Sequence, residues 1–157
     1  MRWLRSGLLA LFLALCFGFV TATPAQAVRL GVRPNWGACG LSTSETKMVY
    51  DFGAIELKCG NANWGYRHIK DRHYTEFQGL ARAGGLNWSD LVHWAIFYNA
   101  QDPDHVIVEQ GDGCRDRLLY LHDQNGRLIW QQRFKLIYSA LDGRVITVYP
   151  SSSICVR

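Results

Sequence analysis

Residues 64–74, WGYRHIKDRHY, gather side chains that can move protons and hold anions. His68 and His73 stand there beside three cations, Arg67, Lys70 and Arg72, and one carboxylate, Asp71. Imidazoles exchange protons near neutral pH, so a pair can supply a general base and a general acid. Neighbouring cations suit an anionic substrate such as a phosphodiester. Trp64, Tyr66, Tyr74 and, later in the chain, Tyr149 offer rings on which bases can stack. The plainer reading of the same stretch is a solvated basic helix.

The positioning element is a helix. From Gly65 it can run to about Arg82, where Gly84-Gly85 stops it. Tyr66, Ile69, His73, Phe77 and Leu80 then share one face, and His68, Asp71, Arg72 and Thr75 another. The two histidines are five residues apart, so they sit about 140° apart around an ideal helix. Both reach one site only if the helix starts late, breaks or borders a cleft. A second helix opens at Asn87-Trp-Ser-Asp90 and ends at Asp102-Pro103. It is apolar nearly all round, hence buried, and His93 inside it reads as structural.

From His105 the period changes to two. Four strand-like runs, HVIVEQ, RDRLLYLH, RLIWQQRFKLIYSA and RVITVYP, are separated by Asp-Gly and Asn-Gly turns. That pattern predicts a four-stranded antiparallel meander. The fold class is α+β, with N-terminal helices packed on the sheet. Alternation sends Leu128, Trp130, Phe134, Leu136 and Tyr138 to one face, with Ile146 and Val148 beside them. The other face is expected to be partly open and to carry Arg133, Lys135, Thr147 and Tyr149. Thr and Tyr are also ordinary residues of an exposed strand face.

The chain opens with Arg2 and Arg5, an apolar run over 7–20 and small residues up to Ala27. This reads as a secretory signal peptide, residues 1–27, too short for a membrane span. The expected mature chain, 28–157, is one domain with an N-terminal extension over 28–53 and a core over 54–150. Losing Arg2 and Arg5 lowers the formal charge from +4 to +2, so affinity for an anion must come from local clustering. Ser42-Thr-Ser-Glu45 has the form of a capping box and predicts a short helix through Met48, Val49 and Tyr50. Residues 54–58 read equally as strand or helix.

Cys16 lies in the leader. Cys39, Cys59, Cys114 and Cys155 remain, an even number without metal-ligand spacing, which reads as two disulfides in an exported protein. The meander puts Cys114 before the second strand and Cys155 beyond the fourth, at opposite edges of the sheet. A Cys114–Cys155 bond is therefore disfavoured. The expected arrangement pairs Cys114 with Cys39 or Cys59, and Cys155 with the other.

An early Gly-x-x-His-Ile-x-x-x-His helix (Gly65, His68, Ile69, His73) and a final Ile-Thr-Val-Tyr-Pro strand (Ile146–Pro150) flank the meander. Over roughly residues 54–150 this resembles the barnase–EndoU–colicin–RelE superfamily of ribonucleases, and most closely the nuclease domains of bacterial polymorphic toxins. The resemblance implies RNA cleavage without metal or other cofactor. His68 and His73 match the helical motif, and Thr147 and Tyr149 the strand motif, as catalytic residues. Lys70, Arg72, Arg133 and Lys135 would bind the substrate. RNA is the implied partner, with an immunity or inhibitor protein as a second. The leader and the cysteines point to an enzyme secreted on its own. Two other readings compete. A metal-dependent His-Asn-His nuclease needs histidines on a strand–strand–helix finger, whereas these precede the strands. A disulfide-stabilised secreted binding or inhibitor module needs exposed aromatics and no proton-transfer pair.

Overall fold

Turns at Gly111, Gly126 and Gly143, all with positive φ, fold the C-terminal half into a meander. The computed structural model describes residues 36–123 and 125–156. The predicted leader and Cys16 lie outside them, as does the first part of the extension. A short 3-10 turn, Trp36–Ala38, precedes β1 (Met48–Asp51), β2 (Glu56–Lys58), α1 (Gly65–Ala83) and α2 (Trp88–Gln101). The strands β3 (His105–Glu109), β4 (Asp112–His122), β5 (Leu128–Ser139) and β6 (Val145–Ser151) follow. These four pair antiparallel in chain order, and β1 and β2 form a separate hairpin. The architecture is α+β, as predicted. Among the described residues no helix is long and apolar enough to cross a membrane.

Both helices cover one face of the meander. Ile69, Phe77 and Ala81 of α1 and Leu91, Val92, Ala95 and Ile96 of α2 meet Phe134, Leu136, Val145 and Val148 with no exposed surface. Phe77 stacks on Phe134 with ring centroids 5.5 Å apart. Arg115 of β4 lies over the Tyr138 ring and donates to the Ala100 carbonyl at 2.7 Å, where a cation also suits the C-terminal end of α2. His93 is 3% exposed among the rings of Tyr50, Phe52 and Phe97. Burial pushes its pKa down, against the pull of Asp90. It is a core residue, as its helix predicts.

Three local expectations fail. The segment predicted as a helix after Glu45 is strand β1, paired with β2. Ser44 and Thr46 close a local turn there, and the Lys47 carbonyl accepts from the Cys59 N–H, so the segment continues as a hairpin. Val145 rather than the expected Ile146 joins Val148 in the core, because the β5–β6 pairing slips by one residue at Ile146. Such a bulge reverses the alternation on one side of it. Leu128, at the outer end of β5, is largely exposed.

The four cysteines form two disulfides, as expected, but the pairing differs from the expected one. The bonds are Cys39–Cys59 and Cys114–Cys155, with Cα atoms 5.3 and 5.9 Å apart. Strand β4 begins at Asp112, so Cys114 already lies inside the sheet, level with Ile137 and Thr147. The end of β6 is only four residues beyond that level, about 13 Å along the strands. The tail does not continue outward. It turns at Ser151–Ser153 and crosses the open face, where Lys135 Nζ donates to Ser153 Oγ at 2.9 Å. Its Cys155 N–H then donates to Asp116 Oδ2 at 2.6 Å.

Asp116 anchors this crossing. Its carboxylate is fully buried and also accepts from Arg133 and from His105 Nδ1. Arg133 bridges on to Asp104, which pairs with Arg117 and accepts from the Leu118 N–H. Burial pushes the Asp116 carboxyl up, but the Cys155, His105 and Arg133 donors outweigh it and hold the pKa below the usual carboxylate value.

A group with a depressed folded pKa contributes stability that is complete above its unfolded pKa, about 4, and is lost as pH falls through the folded value. Melting temperature should therefore drop steeply below about pH 4, and the drop should be shallower in Asp116→Asn, itself less stable at neutral pH. Replacing Cys114 and Cys155 by Ala should cost about 2–5 kcal/mol in denaturant unfolding, the usual range for a native disulfide. Peptide mapping of unreduced protein should return Cys114 linked to Cys155.

Candidate functional site

The start of α1 depends on a tight turn. Gly60 and Gly65 have φ of +62° and +77°. A Cβ on Gly60 would lie 1.9 Å from the Trp64 carbonyl oxygen, and one on Gly65 2.7 Å from that of Lys58. Only glycine tolerates both the conformation and the approach. The turn, closed by the Asn61 N–H donating to the Trp64 carbonyl, brings the Ala62 carbonyl back to His68.

A carbonyl can only accept, so His68 carries its proton on Nδ1, 2.7 Å from the Ala62 oxygen. His73 makes an equivalent bond one turn further on. Its Nδ1 lies 2.7 Å from Glu76 Oε2, and that carboxylate also only accepts. Among the described residues neither Nε2 has a partner, so both are left to act outward. The helix is unbroken from Gly65 to Ala83, yet the rings are 6.1 Å apart at their centroids. The geometric difficulty posed by the spacing is met without a late start or a break: the rings lean toward each other across Ile69, whose side chain turns into the core.

Helix α1 lies along the edge strand β6, and His73 stacks on Tyr149 with centroids 5.3 Å apart and planes 21° apart. Tyr149 lies opposite Lys135, Lys135 opposite Asp116 and Asp116 opposite His105. One row of ionisable or hydroxyl-bearing residues thus crosses the sheet and ends at the imidazole pair. The C-terminal tail lies over its middle.

The structure brings together His68, His73 and Tyr149, with Lys135 on the next strand. Arg72, one turn beyond His68, is exposed. It shares the same side of the helix. Lys70 projects elsewhere, into a groove on the outer side of α1. Arg133 is taken up by Asp104 and Asp116. Arg67 donates to the carbonyls of Gly40, Thr43 and Gly60, a structural clamp. The Thr147 hydroxyl is shielded from solvent and has no hydrogen-bond partner among the described residues. Among those residues no three His, Cys, Asp or Glu side chains converge as a metal site. Glu76 escapes the motif reading, although its position three residues after His73 is the signal for such a bond.

No family model and no solved structure matches the chain. It is similar to two uncharacterized proteins of Mycobacterium tuberculosis, MT0764 of strain CDC 1551 and Rv0739 of strain H37Rv. Each is 29% identical over 104 residues, 64% of this chain. The chain spans 38% of the length of these relatives.

Glu76 is a positioning residue by this geometry. Glu76→Ala should lower any turnover that needs His73 by about 10-fold or more, part of the 10²–10⁴ that acid–base catalysis supplies. Glu76→Gln keeps an acceptor for Nδ1–H and should restore part of it. Thermal melts of both variants should stay near the parent, because the Glu76 side chain is mostly solvent-facing.

Proposed function

We propose that the protein is a secreted, metal-independent ribonuclease that cleaves RNA by transesterification, of the kind polymorphic toxins carry. The observation that supports this reading best is the pair of imidazoles, each with Nδ1 tied to an acceptor and Nε2 open. RNA supplies its own nucleophile, so the protein need only move protons and offset charge. His73, backed by the Glu76 carboxylate as in carboxylate–histidine couples, takes the proton of the 2′-hydroxyl through Nε2. The 2′-oxygen attacks phosphorus and the bond to the 5′-oxygen breaks. Protonated His68 gives that oxygen its Nε2 proton, with Tyr149 as the nearby alternative donor. The products are a 2′,3′-cyclic phosphate and a free 5′-hydroxyl. Solvent then returns the proton from His73 to His68. Arg72 and Lys135 flank the pair and offset charge on the phosphoryl oxygens.

In this reading Thr147 acts only if substrate displaces what shields its hydroxyl, and Arg133 supports the sheet. Secretion is favoured by the two disulfides, which persist in oxidising compartments.

The test is incubation of the oxidised protein with RNA and with single-stranded DNA, with and without chelator. RNA should be cut to cyclic-phosphate ends in both conditions and DNA left whole. His68→Ala and His73→Ala should each lose about 10²-fold or more in turnover, while Lys135→Ala should chiefly weaken RNA binding. Efficient cutting of DNA, or of RNA methylated at every 2′-oxygen, would refute the mechanism.

A further inference from the structure

A groove of about 650 Å³ runs along the outer side of α1, between the helix and the segment after Cys39. That volume is in the range of small-ligand sites. The groove is held open by fixed walls. The Cys39–Cys59 disulfide and the Arg67 guanidinium, which donates to Gly40 and Thr43 at 2.6 and 2.7 Å, lock the facing segment to the helix. Within these walls the surface is unsatisfied. Leu41 is fully exposed on the rim, and the Tyr74 ring is 41% exposed although Trp88 holds it edge-on at 5.3 Å. Lys70 and Asp71 face the groove and have no ion-pair or hydrogen-bond partner among the described residues. Most carboxylates described in the domain are engaged, so an idle one beside an idle cation stands out. The groove also adjoins His68. Ala62, whose carbonyl fixes His68, lines it, and Asp71 and Thr75 follow His68 by three and seven residues on its side of the helix.

We propose that this groove is a base-binding subsite for the nucleotide next to the scissile phosphate; the inference rests on the ribonuclease reading above. The base stacks on Tyr74 against Leu41, and Lys70 meets the adjoining phosphate. Asp71 reads the base edge. A carboxylate only accepts hydrogen bonds, so it favours bases that present an amino group. Adenine, cytosine and guanine do so. Uracil presents two carbonyl oxygens around a single N–H and is disfavoured. The rigid walls mean that little ordering is required on binding.

The test uses oxidised protein and 2′-O-methyl tetranucleotides of A, C and U, with affinities read by calorimetry. These probes cannot be cut, so binding is separated from reaction. The A and C probes should bind about tenfold tighter than the U probe, the scale of one good hydrogen bond. Asp71→Asn should erase that preference. Tyr74→Ala should weaken all three by about 5- to 150-fold, the range of base–aromatic stacking. Equal affinity for the three probes, or unchanged binding by Tyr74→Ala, overturns the subsite. A protein that binds through Tyr74 but cuts no RNA keeps the groove and loses the ribonuclease reading. One that cuts RNA and ignores both substitutions loses only the groove.

Discussion

Burying a carboxylate requires compensation by donors and charge, and Asp116 receives it from every side. Arg133 reaches it along the sheet, His105 from the edge strand and the Cys155 N–H from the returning tail. The consequences spread outward. The tail must cross the open face to deliver its N–H, which brings Cys155 to Cys114. Arg133 is drawn away from solvent into a cluster with Asp104. The cation left on that face near α1 is Lys135, beside Tyr149 and under Ser153. One buried charge therefore decides how much of the sheet remains for a ligand and concentrates what is left at the β6 edge, where α1 lies.

At that edge the proposed chemistry rests on local backbone geometry. The Gly60–Gly65 turn aims one carbonyl at His68, and a three-residue helical spacing aims one carboxylate at His73. Neither ring relies on a distant element for its tautomer. The strand supplies Tyr149, which packs flat on His73 and limits its rotation. Proton-transfer groups held this way are pre-organised, which is what the proposed reaction requires.

Periodicity and turn residues made the meander, both helices, the burial of His93 and the α+β class legible in the sequence. Those signals are local. What was not legible depends on contacts between distant residues. The slip at Ile146 turns Val145 inward, and no alternation rule announces it. The Cys114–Cys155 bond is disfavoured only on the assumption of a tail that leaves the sheet, whereas Asp116 captures it. The capping-box pattern after Ser42 was overridden by pairing with β2. The histidine spacing was misleading for another reason. A helical wheel gives the bearing of each Cα, while an imidazole extends several ångströms and can lean across a neighbour that turns inward. Of the residues expected to hold substrate, Arg72 and Lys135 stay near the imidazoles and Lys70 and Arg133 do not.

The central claim is that His68 and His73 each keep Nδ1 tied to a local acceptor and turn Nε2 toward one site. Long-range proton–nitrogen NMR of the imidazole rings measures this directly. In the neutral rings both should be Nδ1–H tautomers, and both Nε2 resonances should shift when a 3′-mononucleotide is added. An Nε2–H tautomer at either ring, or a nucleotide response confined to one of them, would contradict the account.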